Sequence, residues 1–419
     1  MRENKYIELK EKMTDTFLKT VSAYANYGTG IIIFGVRDDG KEIGVEDPKN
    51  FCAAIENKIN DTIVPIPDYS LEVDDKNKIV TLKVYKGMKQ PYFYKSKAYK
   101  RNDASTREID NIELKRLILE GENITYDRII TKNQDLQFEV LSKKIIKELG
   151  IEKFSNDTLI SLGLYNKNEG YNIAAECLAD KNNLPGIDLV RFGEDINTIL
   201  DRKTSENISI LKQYDDAIEK YKIYYQYEEI KEGKRTFKEK IPYNAYREAL
   251  ANALVHRTWD VNNNIKISMY DKYIEIISPG GLPSNISKEE YLYSDISELR
   301  NPIIANIFFR LHMIEKLGTG IGRINKEYEN SFNKPKYEIF ENSIKTILPI
   351  KSSIKITNDD EKKVYETLNK VNLMSATELS LELGMGKTKT TKLLNSLIQQ
   401  GFVKSHGVGR STKYCRVEY

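Results

Sequence analysis

A polar stripe on an otherwise apolar helix is the strongest chemical feature of the sequence. Ala and Leu dominate residues 247–257, and Gly and Pro are absent from this stretch, which predicts a helix. Glu248, Asn252 and His256 are spaced four apart, so they share one face of that helix. A carboxylate and an amide one turn apart can hold a metal-bound phosphate chain, whereas a solvated helix face is the alternative. For His256 we favour a core histidine at the helix end over a catalytic role.

Glycine-rich loops follow this helix at two places. Residues 278–281, Ser-Pro-Gly-Gly, end a predicted strand, and Gly318, Gly320 and Gly322 alternate before a predicted helix. Glycine lets a backbone come close to phosphate groups, and the N–H groups at a helix N-terminus bind anions. Because helix packing also needs glycines, the glycines alone are a weak signal. The order of the motifs along the chain is a stronger one: Glu-x-x-x-Asn, a hairpin, Pro-Gly-Gly, Arg-Asn-Pro at 300–302, and Gly-Thr-Gly-Ile-Gly.

This ordered set resembles the divergent ATP-binding module of the GHKL type that occurs beside AlbA_2 domains in bacterial transcriptional regulators. The resemblance implies that Glu248 orients water in a weak ATPase and that Asn252 binds magnesium. Ser278 stands where such sites have an Asp for the adenine amino group, so weak discrimination between ATP and GTP is expected. The glycines that would line the nucleotide are Gly280, Gly281, Gly318, Gly320 and Gly322.

The first 120 residues predict an α/β domain with a mixed sheet. An alternating strand at 6–10 precedes a helix at 14–26, and a continuous apolar run at 31–34 is typical of a buried strand. The Asp-Asp-Gly sequence at 38–40 then makes a tight turn.

The segments around Glu8, residues 30–36 and residues 99–102 resemble the Schlafen-type AlbA_2 domain. Schlafen nucleases place three carboxylates around a divalent metal, which would be Glu3, Glu8 and Asp38 in this chain. Such oxygen ligands suit Mg²⁺ or Mn²⁺, and the metal would activate water at a phosphodiester of RNA or DNA. Many bacterial relatives are regulators instead. In that alternative, Glu8 pairs with a neighbouring Lys and Asp38 simply makes the turn.

Residues 121–240 contain no constellation of reactive side chains. An amphipathic helix is predicted at 136–149 and a strand at 187–192. Apolar residues recur at helical spacing over 195–226, which predicts a long helix with a break near Thr204. We expect this region to support the domain that follows.

Residues 356–419 have the element order of a winged helix-turn-helix, three helices followed by two strands. Residues 386–419 carry seven Lys or Arg against one acid, which favours nucleic acid as a partner over a solubilising tail. A winged helix that contacts protein is the alternative. The recognition helix would enter the major groove of double-stranded DNA, and the wing would meet its backbone. The predicted DNA contacts are Lys387, Lys389, Thr390, Lys392, Arg410 and Lys413.

Composition limits the classes of protein. The 419 residues have a net charge of +3 and are 40% apolar, enough for several cores. Cys52, Cys177 and Cys415 fit neither a metal site nor a disulfide framework, so a reducing cytoplasm is expected. No apolar run approaches the roughly 20 residues of a membrane span.

The expected fold is a multidomain α/β (α+β) chain. It comprises an AlbA_2/Schlafen-like mixed sheet (1–120), a connecting α/β support region (121–240), a divergent GHKL-like α/β sandwich (241–355) and a winged helix-turn-helix (356–419). The leading hypothesis is a cytoplasmic, homo-oligomeric, DNA-binding transcriptional regulator that responds to ATP or another nucleotide with Mg²⁺. The alternative is a Schlafen-like metal-dependent nuclease acting on RNA or DNA in phage defence. A scaffold with inactive sites is a third hypothesis.

Overall fold

The chain folds into an N-terminal α/β unit, a central unit on a six-stranded sheet and a C-terminal unit of three helices with a small sheet, so it is an α+β multidomain protein. The computed structural model describes residues 2–231, 233–283, 286–294, 298–315, 318–329, 331–351, 358–368, 373–400, 402–407, 409 and 412–416. Every helix in these ranges is too short or too polar to cross a lipid bilayer.

The N-terminal unit is a four-stranded sheet with helices packed on it. Its elements are β1 (Ile7–Lys10), α1 (Phe17–Tyr27), β2 (Gly30–Phe34), α2 (Pro48–Thr62), β3 (Ile63–Val64), β4 (Tyr69–Asp74), β5 (Ile79–Val84), β6 (Phe93–Tyr94), β7 (Tyr99–Asn102), β8 (Ser105–Glu108) and α3 (Asn111–Gly121). The strand order is β1-β2-β5-β4, with β1 parallel to β2 and the other pairs antiparallel. The predicted buried strand is β2, whose Ile32 and Phe34 pack on Phe17 and Val21 of α1 in one core.

The central unit has one hydrophobic core that extends from Leu136 to Leu348. Its elements are α4 (Glu139–Leu149), α5 (Asn156–Ser161), β9 (Tyr165–Asn166), β10 (Gly170–Tyr171), α6 (Ile173–Leu178), β11 (Ile187–Phe192), β12 (Ile199–Ser205), α7 (Ile210–Tyr225), β13 (Gln226–Lys231), β14 (Lys234–Glu239), α8 (Tyr243–His256), β15 (Ile265–Met269), β16 (Tyr273–Pro279), α9 (Lys288–Tyr293), α10 (Pro302–Arg310), α11 (Gly320–Glu327), β17 (Lys336–Ile339) and β18 (Ser343–Pro349). The strand order is β12-β11-β15-β16-β18-β17. The boundary predicted at residue 240 therefore lies inside a single unit.

The helix predicted over 195–226 is wrong in its first half. Residues Ile199–Ser205 form strand β12, which pairs antiparallel with β11 at the edge of the six-stranded sheet. The apolar spacing misleads because Ile199 and Leu200 are exposed, so their positions do not mark a buried helix face. The second half of the prediction holds, since α7 occupies Ile210–Tyr225.

The C-terminal unit has the predicted three helices and two following strands, with one further short strand between its first two helices. Its elements are α12 (Asp359–Leu368), β19 (Met374–Ser375), α13 (Ala376–Glu382), α14 (Lys387–Gln399), β20 (Val403–His406) and β21 (Lys413–Arg416), with antiparallel strand order β19-β21-β20. The Ser375 hydroxyl accepts from the Glu378 N–H at 3.2 Å, and the Glu378 carboxylate accepts from the Ser375 N–H at 2.7 Å. This capping box starts α13.

Candidate nucleotide and nucleic-acid sites

Helix α8 carries the predicted polar stripe into the wall of a cavity. Glu248, Asn252 and His256 all line this cavity, whose volume is about 1140 Å³ when the space open to solvent is included. Leu250 and Leu254 on the opposite face are fully buried and anchor the helix in the core. Because Glu248 is itself buried, the stripe is not a solvated helix face.

The environment of Glu248 favours its neutral form more than water does. Burial raises the pKa of the Glu248 carboxyl, while Arg323, Arg247 and a hydrogen bond with Asn252 act in the opposite direction. Arg323 also faces Glu315, with 3.6 Å between Nη1 and Oε1. A carboxylate with a raised pKa is better matched to proton transfer near neutral pH than an ordinary exposed one.

Gly320 lies directly against this stripe. A Cβ atom on Gly320 would stand 2.7 Å from Asn252 Nδ2 and 2.7 Å from Glu248 Oε1, closer than real Cβ contacts allow. Gly318, which has a left-handed φ of 67°, also lines the cavity. Gly322 does not line it, and a Cβ there would meet nothing within 4 Å. A Cβ atom at Gly320 would therefore have to displace the ends of the Asn252 and Glu248 side chains.

The Pro-Gly-Gly loop is held by contacts within the protein. Gly280 has a φ of 106°, and a Cβ on it would stand 2.6 Å from Arg300 Nη1. A Cβ on Gly281 would stand 2.2 Å from the Glu341 carbonyl oxygen. The Arg300 guanidinium donates to the carbonyls of His256 and Gly281, both at 2.7 Å, and thereby ties the loop to the end of α8.

Sequence reasoning assigned no role to Arg300, although it lies in the Arg-Asn-Pro motif. Its neighbour Asn301 is fully buried and donates to the carbonyls of Val255 and Arg257 at 2.7 and 2.9 Å. The motif therefore holds the C-terminus of α8. The sequence feature that could have indicated this role is the polar pair directly before the proline that begins α10.

His256 and Ser278 occupy the same wall of the cavity. His256 is half-buried, and desolvation together with the Arg300 guanidinium lowers its pKa to about 4, so the ring is neutral at physiological pH. The Ser278 hydroxyl donates to the Ala253 carbonyl at 2.9 Å. With that proton engaged, Ser278 presents only acceptor lone pairs to a ligand.

The residues of the cavity fit a nucleotide with Mg²⁺. Magnesium usually takes one or two protein oxygens and completes its shell with phosphate and water, and the Asn252 amide oxygen offers one such ligand. Gly318 and Gly320 leave their backbone accessible at the N-terminus of α11, where N–H groups suit phosphate. Burial raises the pKa of Tyr291 to about 12, so this cavity-lining ring is neutral and suits contact with a base. A bound Mg²⁺ would supply charge neutralisation of the phosphates.

The N-terminal carboxylates are not gathered as a metal site. Glu8 is 4% exposed, and its carboxylate contacts the Arg101 guanidinium, Lys10 Nζ at 2.8 Å and the Thr20 hydroxyl at 2.7 Å. Glu3 instead accepts from the backbone N–H of Leu9 at 2.9 Å.

Asp38 lies on the exposed turn between Arg37 and Gly40. Among the residues with described positions, no group of three His, Cys, Asp or Glu side chains is arranged to hold a metal ion. The predicted metal set of Glu3, Glu8 and Asp38 therefore does not fit Mg²⁺ or Mn²⁺, because Glu8 is already neutralised by cations. The alternative, in which Glu8 pairs with a neighbouring Lys, is seen at Lys10, whereas Arg101, which comes from 93 residues away, could not be predicted from the sequence.

The predicted DNA-contacting residues fall into two groups. Lys387, Lys389, Lys392 and Lys413 are exposed, with Lys389 Nζ 2.5 Å from the Asp360 carboxylate. The inclusion of Thr390 is wrong, because its side chain is fully buried against the core and its hydroxyl donates to the Gly386 carbonyl at 3.3 Å. Arg410 lies outside the described residues.

Two protein families match separate parts of the chain. The family described as "Schlafen, AlbA_2" matches residues 3–110, and the family described as "Putative ATP-dependent DNA helicase recG C-terminal" matches residues 262–348. The second match begins after α8, so it does not include Glu248 or Asn252. No curated protein matches the chain.

Solved structures add a likeness of fold. The DIP2311 protein from Corynebacterium diphtheriae is 19% identical, with a TM-score of 0.50, over 99% of this chain and 92% of that chain. The N-terminal domain of a "Putative ATP-dependent DNA Helicase RecG-related Protein" from Nitrosomonas europaea is 21% identical over 26% of this chain and 82% of that chain, with a TM-score of 0.20. The chain thus contains a Schlafen AlbA_2 domain and a RecG-related ATPase-like domain, which together indicate a function related to nucleic acids.

Proposed function

We propose that the protein is a DNA-binding transcriptional regulator whose central unit binds a nucleotide with Mg²⁺. The observation that carries this proposal is the outward face of helix α14. Thr390, Leu393, Leu394 and Leu397 are buried on one side of α14. The exposed positions are Lys387, Thr388, Lys389, Lys392, Asn395 and Gln399.

That face has the chemistry of a recognition helix. Asn and Gln side chains form paired hydrogen bonds with adenine in the major groove, and Lys contacts guanine or phosphate. Three helices followed by the β20–β21 hairpin support the interpretation as a winged helix, with Lys404 and Lys413 exposed on the wing strands. Lys389 is the weakest of the predicted contacts, because Asp360 already neutralises it.

A homo-oligomer belongs to the same proposal. Two copies of α14 related by a two-fold axis would meet successive major grooves about 34 Å apart. Light scattering of the purified chain gives its mass in solution and tests this part directly, since a monomer at DNA-binding concentrations would contradict it.

Fluorescence anisotropy with labelled duplex DNA over a range of KCl concentrations tests the DNA-binding proposal. Lys387→Ala/Lys392→Ala should weaken binding and flatten the salt dependence by about 0.9 in slope for each phosphate that a lysine no longer neutralises. The matched control is Lys362→Ala/Lys363→Ala, which removes the same charge from exposed positions on α12. Equal effects in both variants, or no effect in the α14 variant, would contradict the recognition-helix assignment.

A further inference from the structure

We propose that the β13–β14 hairpin is a dimerisation arm, which packs one face against the same hairpin of a second copy of the chain. The proposal rests on the homo-oligomer of the proposed function and names the surface that forms it. The hairpin lies between helices α7 and α8, and its two strands form a small antiparallel sheet separate from the six-stranded one.

The hairpin extends from the central unit into solvent. All six residues of β14 are exposed, as are Tyr227, Glu228 and Ile230 of β13. The Thr236 hydroxyl donates to the Glu229 carbonyl at 3.1 Å, so this polar contact also stays within the hairpin. A two-stranded hairpin by itself is only marginally stable in water. Contact with a further surface would therefore stabilise it.

One face of the hairpin carries two adjacent apolar side chains. Ile230 lies opposite Arg235 in the antiparallel register, and Phe237 lies opposite Glu228. Opposite residues and residues two apart share a face, so Ile230 and Phe237 are diagonal neighbours. They are 68% and 61% exposed. Adjacent exposed apolar groups flanked by charge, unlike isolated ones, are typical of an interaction surface.

The charges of the hairpin favour a second copy as the partner. Strand β13 contains Glu228 and Glu229, whereas β14 contains Lys234, Arg235 and Lys238. A two-fold axis along the hairpin sets β13 of each copy over β14 of the other, so acidic side chains meet basic ones on both sides. A partner of a single sign of charge would match only one of the two strands.

The same arrangement brings together the groups on the apolar face. Ile230 approaches Phe237 of the other copy, and Glu228 approaches Arg235 of the other copy. Within one copy, Arg235 Nη1 lies 3.5 Å from Glu228 Oε2, and the two side chains are 76% and 60% exposed. So exposed a pair contributes little to stability, which leaves both groups available to pair across the interface.

Contacts at its base give the hairpin a fixed direction. The Lys240 N–H donates to the Tyr225 carbonyl at 2.9 Å, and the Tyr243 N–H donates to the Glu239 carboxylate at 2.8 Å. Tyr243 begins α8, so the hairpin ends directly at the helix that carries the polar stripe. An arm that is already oriented loses less conformational entropy when it associates.

Sedimentation velocity of the full chain over a wide range of concentration tests the apolar contact. Ile230→Asp/Phe237→Asp should convert the wild-type dimer to monomer, because it places four like charges between the two hairpins. The matched control is Ile66→Asp/Ile112→Asp, which makes the same changes at exposed apolar positions of the N-terminal unit and should leave the dimer intact.

Charge reversal tests the partner independently of folding. Glu228→Arg alone and Arg235→Glu alone should each raise the dimer dissociation constant at least about tenfold, because like charges then meet across the axis. An equimolar mixture of these two variants should dimerise as the wild type does, since each supplies the charge that the other lacks. Misfolding of the hairpin would not be rescued by mixing.

A monomeric wild type at every concentration, or loss of the dimer that mixing does not restore, would overturn the hairpin-to-hairpin contact. A dimer that survives Ile230→Asp/Phe237→Asp would overturn it too, while leaving the proposed homo-oligomer in place. The anisotropy measurements on Lys387→Ala/Lys392→Ala report separately on DNA binding, so failure of the arm and failure of the proposed function are distinguishable.

Discussion

Arg116 of the N-terminal unit and Asp260 of the central unit form a two-point ion pair, with Nε 2.6 Å from Oδ2 and Nη2 3.1 Å from Oδ1. Asp260 follows the end of α8. Burial and the nearby Arg116 guanidinium lower the pKa of Arg300, whereas Asp260 raises it. The pair therefore connects helix α3 of the N-terminal unit to the wall of the candidate nucleotide site.

The first prediction concerns this connection. A double-mutant cycle of Arg116→Ala and Asp260→Ala should give a coupling free energy near 1 kcal/mol, the upper end for partly exposed pairs, because the geometry is bidentate. Urea denaturation measures it. The same cycle on Lys97 and Glu108, an exposed pair with both side chains more than half accessible, should give a coupling close to zero. Equal coupling in the two cycles would mean that Arg116 and Asp260 do not hold the units together.

The second prediction concerns Glu8. Glu8→Ala leaves the buried Arg101 guanidinium without its carboxylate and should lower the free energy of unfolding by about 3–5 kcal/mol. Glu8→Gln should cost less, because the amide oxygen still accepts a hydrogen bond. Glu108→Ala, which breaks an exposed pair, should change stability by under about 0.5 kcal/mol.

The same variants separate a structural Glu8 from a metal ligand. Manganese-dependent cleavage that disappears in Glu8→Gln while its melting temperature stays at the wild-type value would restore the nuclease hypothesis. Incubating labelled RNA and DNA with the protein, with and without Mn²⁺, provides that measurement.

The third prediction separates two glycines of one motif. Gly320→Ala should force Asn252 and Glu248 apart and weaken Mg²⁺-dependent nucleotide binding at least tenfold. Gly322→Ala meets no neighbour and should stabilise helix α11 by up to about 1 kcal/mol while leaving binding unchanged. Isothermal titration with ATP and Mg²⁺ gives both affinities. Equal effects of the two substitutions would show that the close approach of Gly320 has no role in binding.

The fourth prediction concerns the nucleotide itself. ATP with Mg²⁺ at about 100 times its dissociation constant should raise the free energy of unfolding by about 2.7 kcal/mol. Asn252→Ala should remove the metal-dependent part of this gain, and Glu248→Gln should keep binding and lose any hydrolysis. Ser278 is a neutral acceptor where such sites have an Asp carboxylate, so it accepts only weakly from the adenine amino group, and ATP and GTP should differ little in their melting shifts. No shift at millimolar nucleotide would contradict binding in this cavity.

The fifth prediction concerns pH. The pKa of His256 is lowered from 6.5 to about 4, so its neutral ring favours the folded state above pH 6.5, and this contribution is lost as the pH falls from 6.5 towards 4. The loss should reach at most about 3 kcal/mol. His256→Gln should make the unfolding free energy less dependent on pH in this window. His312→Gln, which alters an exposed histidine, is the control. An identical pH dependence in wild type and His256→Gln would refute the assignment.

Local sequence features predicted the elements around the site well. The helical period of α8 and the hairpin that follows it both depend on residues close together in the sequence, so their spacing identifies them. Long-range partners could not be predicted in this way. Arg101 meets Glu8 across 93 positions, and Asp127 accepts from the Ile303 N–H, 176 positions away.

Strand β12 shows a different limit of predicting structure from sequence. Its apolar residues lie at an exposed sheet edge, where neither helical nor alternating spacing reports burial. Thr390 shows the converse, because a polar residue on a basic helix turns inward and donates its hydroxyl within its own helix. In both cases the side chain's direction follows from packing against elements distant in sequence.

The parallel pairing of β11 with β15 determines when the central unit can fold during synthesis. Ile187 pairs with Ile265, and the sheet is completed only by β18, which ends at Pro349. A nascent chain that has reached residue 240 contains β11 and β12. It still lacks β15, which pairs with β11, and the other three strands of the sheet. Such a chain exposes apolar surface on the ribosome until more than a hundred further residues emerge. During that interval chaperones can bind the exposed surface. A truncation at residue 240 should therefore leave only the N-terminal unit folded.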